Sequence, residues 1–132
     1  MAADTPVGRY PDSHTGFRLD EVITLVKNDY SGAGTQREAH WRVGTAVGMT
    51  VILWQSGLIE NDDHEFGDNW CEFHPAATEA TTSTTPALAP GVTYYWDVLV
   101  RNSSSENSSR STALAFTMAS ATLTADNWRR AQ

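Results

Sequence analysis

Two residue types are nearly missing from this chain of 132 residues: it has one cysteine, Cys71, and one lysine, Lys27. A single cysteine excludes an intrachain disulfide, so the fold must stand on packing alone. Nine basic residues against 16 acidic ones leave a formal net charge of −7. A surface of that sign repels phosphate backbones, so no nucleic-acid partner is expected. No apolar run approaches the roughly 18 residues of a membrane-crossing helix, and no membrane partner is expected either. The opening MAADTPVGRYPDSHTG has neither a basic n-region nor an apolar h-region, so it does not read as a secretory leader.

The usual signatures of catalysis and metal binding are also missing. His14, His40, His64 and His74 show no H-x-H or H-E-x-x-H spacing, which speaks against zinc. There is no Gly-rich phosphate loop and no Gly-x-Ser-x-Gly elbow. Cys71 and His74 lie three apart, and on a strand of period two they face opposite sides, so they do not form a nucleophile–base pair. The segment Leu58 to Ala87 holds seven acidic residues and no Lys or Arg, which invites a calcium reading. An EF-hand frame from Asn61 puts Phe66 where the loop needs glycine. A frame from Asp62 restores Gly67 but puts Phe73 at the bidentate position. An irregular oxygen site from Asp62, Asp63, Glu65 and Asp68 is the weaker reading of what is more simply a solvated or partner-facing loop. No enzyme activity, catalytic residue, cofactor or metal is expected.

What is present is β patterning. Nine Gly and five Pro, with frequent Thr and Val, suit a one-domain protein of many turns. After the Pro90-Gly91 turn the chain alternates for a full strand. Trp96, Val98 and Val100 point one way, and Tyr95, Asp97, Leu99 and Arg101 the other. A Ser- and Asn-rich loop follows, and a second alternating run (Leu114, Phe116, Met118) returns, predicting a long antiparallel hairpin with one buried face. Tyr94 sits where a Greek-key sandwich places a tyrosine whose hydroxyl bonds back to upstream backbone. Upstream, Val22 to Val26 reads as a strand. Ala39 to Thr45 alternates with Trp41 and Val43 inward and His40 and Arg42 outward. Met49 to Gly57 follows as its neighbour, and Asn69 to His74 reads as one more strand. Trp41, Trp54, Tyr94, Trp96, Val98 and Phe116 are the expected core.

The run LAPGVTYYWDVLV, with Trp41-Arg42-Val43-Gly44-Thr45 leading into Val51 to Gly57, resembles the fibronectin type III domain of bacterial and phage proteins over about residues 36 to 118. The resemblance implies an all-β, seven-stranded antiparallel Greek-key sandwich of the fibronectin III/Ig-like kind. The expected boundaries are an extended N-terminal arm at 1–16, the sandwich at 17–118 and a C-terminal tail at 119–132. It also implies a non-enzymatic structural or interaction protein, first of all a phage virion component (capsid decoration, head fibre or tail-associated), made in the host cytoplasm. Its partners would be other virion proteins or copies of itself, with host surface glycans as a further possibility. The alternative is a bacterial cell-surface module that binds a glycan or a protein, with Tyr95 and Trp70 forming a sugar-stacking patch. Partner contacts are expected from the arms, through Tyr10, Trp128, Arg129 and Arg130, because Trp and Arg anchor interfaces. The sequons at Asn102 and Asn107 read as hairpin polarity and not as glycan sites.

Overall fold

The computed structural model describes residues 3–61, 64–75 and 87–120. They hold eight strands: β1 (Gly8–Tyr10), β2 (His14–Phe17), β3 (Ile23–Lys27), β4 (Gln36–Gly44), β5 (Ile52–Gln55), β6 (Trp70–Phe73), β7 (Thr93–Asn102) and β8 (Leu114–Met118). A three-stranded sheet runs in the order β1-β3-β6 and faces a five-stranded sheet in the order β2-β8-β7-β4-β5. The fold is a β-sandwich, with eight strands where the sequence suggested seven. Every ladder is antiparallel except β2 on β8, which is parallel.

The seam of the large sheet is β4 against β7, whose register pairs Trp41 with Val98 and Val43 with Trp96. Alternation along both strands sends these four side chains to one face, where all are buried. Trp41 and Trp96 stack there with ring centroids 6.0 Å apart. Tyr94 and Phe116 lie against each other at 6.0 Å, and Trp54 meets Phe73 of the opposite sheet at 5.2 Å. Tyr94 also closes the turn before β7. The Ala89 N–H donates to its hydroxyl at 2.9 Å, and Gly91 takes the φ of 74° that the turn requires.

The first 16 residues correct the expectation of an extended arm. β1 pairs with β3 in the small sheet, and β2 pairs with β8 in the large one, so this segment crosses from sheet to sheet. The crossing is fitted to the core. A Cβ at Gly8 would stand 2.8 Å from Leu114 Cδ1 and 3.1 Å from the Trp96 ring, so glycine lets β1 pass close over the tryptophan without displacing either side chain. The Trp96 indole N–H donates to the Pro11 carbonyl at 2.8 Å, which satisfies the one polar atom of a fully buried side chain. Between β1 and β2 the Tyr10–Pro11 peptide is cis.

Candidate functional site

The outer face of the five-stranded sheet holds the densest set of charged side chains among the described residues, and strand register explains how it forms. Asp97 points away from the core on β7, yet it is only 3% exposed. Its partner across the ladder is Arg42 on β4. The guanidinium grips the carboxylate with both arms, Nε to Oδ1 at 2.9 Å and Nη2 to Oδ2 at 2.6 Å. This fork geometry is the strongest that an Arg–carboxylate pair offers.

A second guanidinium comes from the Ser-rich connection between β7 and β8. Two serines zip this connection onto β7. Ser111 gives its N–H to the Val98 carbonyl at 2.8 Å and accepts the Val98 N–H on its hydroxyl at 3.0 Å. Ser108 repeats the pattern with Val100 at 2.8 and 3.0 Å. Held between them, Arg110 reaches back over the sheet. Its Nη1 bonds Asp97 Oδ1 at 3.1 Å and the His40 carbonyl at 3.2 Å, and its Nη2 bonds His40 Nδ1 at 2.9 Å. An arginine only donates, so Nδ1 is an acceptor here and the His40 proton sits on Nε2, which donates to Gln55 Oε1 at 3.1 Å. Burial lowers the His40 pKa below 6.5, and the Arg110 and Arg42 charges push it the same way. The imidazole is therefore held neutral.

Chemically this cluster is suited to binding. The Asp97 carboxylate accepts three cationic hydrogen bonds, and both His40 nitrogens are engaged, so no free base remains. What faces solvent is guanidinium, since Asp97 lies beneath. Beside it stands Tyr95, half-buried on the same face. Its neighbours across the two ladders are Gly44 and Ala115, which are too small to wall in the ring. Arg110 also borders a cleft of about 250 Å³ at the sheet edge, lined besides by Thr5, Pro6, Val7, Thr112 and Leu114.

A second polar place lies at the end of the sandwich where β4 begins. Lys27 is 3% exposed, and its Nζ donates to the Asn28 carbonyl at 3.1 Å, Gln36 Oε1 at 2.7 Å and Asn69 Oδ1 at 3.1 Å. Burial brings its pKa down to about 8, although the Asp68 and Asp29 charges oppose the shift. A groove of about 300 Å³ lies over it, lined by Tyr30, Gly34, Thr35, Gln36, Asp68 and Asn69. The amides of that groove are committed to the protein itself. Gln36 Nε2 donates to the Asp68 carbonyl at 2.6 Å, Asn69 Nδ2 donates to Asp29 Oδ1 at 2.7 Å, and the Tyr30 hydroxyl donates to the Ala33 carbonyl. Three satisfied donors on Lys27 make this an internal cross-link between the sheets.

The sequence-based site residues fall in several places. Tyr10 lies on β1, 41% exposed, with its ring edge-on to His14 at 5.7 Å. Trp128, Arg129 and Arg130 lie outside the described residues. Tyr95 and Trp70 do not form one patch, because β7 and β6 belong to different sheets. The Trp70 ring instead covers Gly67, where a Cβ would stand 2.0 Å from the indole nitrogen. Of the acidic segment, Asp62, Asp63 and Glu79 are outside the described residues. Glu65 and Phe66 are buried, and the Glu65 carbonyl accepts the Glu72 N–H at 2.8 Å, so residues 64–72 fold against the small sheet and are not a wholly solvated loop. Cys71 is buried on β6, and His74 is buried with Nε2 3.2 Å from Glu72 Oε1. Asn102 of the first sequon is also fully buried. Its Oδ1 accepts the Ser104 and Glu106 N–H groups at 3.0 Å, so it closes the loop from within.

The sequence reading missed the cluster of Arg42, Asp97, Arg110 and His40. Alternation already placed His40, Arg42 and Asp97 outward. Their meeting depends on the β4–β7 register and on a loop that folds back, neither of which a period reveals.

No protein-family model and no curated protein matches the sequence. Solved structures with the same fold do exist. An α-L-rhamnosidase from Streptomyces avermitilis, crystallised with L-rhamnose, matches 89% of this chain with a TM-score of 0.63 and 19% identity. An α-L-rhamnosidase from Dictyoglumus thermophilum matches 98% of it with a TM-score of 0.65 and 12% identity. The chain spans 10% and 13% of those two proteins, so its whole fold corresponds to one small part of each.

Proposed function

We propose that this chain is a non-catalytic binding module that holds a glycan on the outer face of its five-stranded sheet, in the service of a glycan-cleaving catalytic unit. The observation that carries the reading is the placement of Tyr95 between Gly44 and Ala115, next to the Arg42–Asp97–Arg110 cluster. A half-buried aromatic ring flanked by Gly44 and Ala115 offers apolar surface to the C–H face of a sugar, and fixed donors beside it fit hydroxyl and carboxylate oxygens. The two rhamnosidase neighbours support the association with glycan cleavage, since in each a part of this fold accompanies a much longer chain.

The virion reading drew on the family resemblance and on polar arms at both ends for assembly contacts. The first of these arms contributes β1 and β2 to the sandwich, which weakens the second ground. The cell-surface alternative placed its sugar-stacking patch on Tyr95 and Trp70; the present proposal keeps Tyr95 and replaces Trp70 with the arginine cluster.

Affinity electrophoresis of the full chain through gels containing neutral and acidic polysaccharides tests the proposal. At least one polysaccharide should retard it, and Tyr95→Ala should restore free migration. Unchanged migration in every gel, or retardation that Tyr95→Ala leaves intact, would refute the sheet face as the site.

A further inference from the structure

We infer that the glycan taken by this face is acidic, with uronate carboxylates as the groups recognised. The inference rests on the binding reading above and adds the chemical class of ligand. The chain as a whole is acidic, at −7. On this face the sign is reversed, with Arg37, Arg42, Arg101 and Arg110 against Glu38, Glu60 and Asp97. Glu60 is exposed and lies beside Arg37 near the start of β4. Asp97 and Glu38 are largely covered, at 3% and 15% side-chain exposure, while Arg42, Arg101 and Arg110 are 20–31% exposed. Over Asp97, a ligand approaching from solvent therefore meets arginine first.

The arrangement is also preorganised. Asp97 fixes Arg42 by its Nε and Nη2, and Arg42 Nη1 makes no hydrogen bond to any described residue. Arg110 is fixed by Asp97 and by two atoms of His40, and its Nε makes no hydrogen bond to any described residue. Both planes are thus held in place with donors to spare, so a carboxylate can be bound without ordering a floppy side chain. His40 contributes no charge of its own, and Gln55, exposed on the edge strand β5, extends the row with a neutral amide.

Spacing relates the ring to the charges. Tyr95 and Asp97 lie two residues apart on one face of β7, about 6.6 Å along the strand. A sugar ring stacked on Tyr95 brings the next unit of its chain over Arg42. An extended chain with carboxylates uses both features, a neutral chain only the first, and a compact acidic protein surface only the second.

Isothermal titration of the full chain with trigalacturonate, maltotriose and a short poly-glutamate separates these cases. Trigalacturonate should bind at least tenfold more tightly than the other two. Raising NaCl from about 0.05 to 0.5 M should weaken it several-fold, because exposed charge pairs are screened. Both Tyr95→Ala and Arg42→Gln should reduce the affinity at least tenfold. If Arg42→Gln unfolds the protein, Tyr95→Ala and the salt series on the unaltered chain still decide. Equal binding of maltotriose would overturn acid selectivity and leave the glycan reading standing. Equal binding of poly-glutamate would make the face an anion-binding protein surface. Binding of none of the three would overturn the acidic-glycan inference.

Discussion

Among the described residues, Trp96 joins several parts of the core at once. It is fully buried, stacks on Trp41, supports the backbone of Gly8 and bonds the Pro11 carbonyl. Trp96→Ala should cost about 3–5 kcal/mol, since it opens a cavity and strands an acceptor. Chemical denaturation reads this as a lower midpoint. Tyr94→Phe removes only the hydroxyl that accepts from Ala89, at a cost of about 1–2 kcal/mol. His40 and Lys27 give the molecule two pH dependences of the same sign. The folded-state pKa of His40 lies below 6.5, so as pH falls through 6.5 the unfolded chain takes up a proton that the folded one refuses. Stability present above pH 6.5 is lost below it, and His40→Gln should flatten that slope. Lys27 titrates at about 8 when folded and 10.5 when unfolded, so the unfolded chain holds the extra proton between those values. Stability should rise with pH across that window, less so in Lys27→Gln. Thermal melts at stepped pH, comparing each variant with the unaltered chain, measure both.

At the scale of elements, period-two alternation made β4, β5, β7 and β8 legible, along with the inward direction of Trp41, Val43, Trp96 and Val98, because a buried face leaves a pattern in every second residue. The Pro90-Gly91 signal and the Greek-key pattern put Tyr94 at the turn. β1 and β2 were illegible for a physical reason. They are three and four residues long and carry little apolar pattern. Pro11 separates them and Gly16, at φ 89°, lies within β2, so they read as loop, and their existence depends on partners far away in sequence. The Ser-rich connection was legible as polar and as a hairpin, but Ser108 and Ser111 replacing strand hydrogen bonds was not. Deleting residues 1–16 should consequently destabilise the sandwich, exposing the Trp96 indole and the edges of β3 and β8. A shortened chain 17–132 should show a lower unfolding temperature and early hydrogen exchange in β8. Equal stability of the two lengths would mean that β1 and β2 contribute nothing to the core.

For the whole molecule, the two sheets divide the work. The small sheet covers the core with Phe73, Ile23 and Leu25, and the buried Lys27 ties its end to β4 and β6. The large sheet supplies the other half of the core on its inner side and a rigid, guanidinium-bearing surface on its outer side. The most direct test of that division is a backbone amide NMR titration of the full chain, run in parallel with trigalacturonate and maltotriose. The account predicts saturable shifts that cluster at Tyr95, Arg42, His40, Gln55 and Arg110 in at least one titration, with the groove around Thr35 and Asn69 unmoved. Shifts centred on that groove or on β6, or none in either titration, would contradict it.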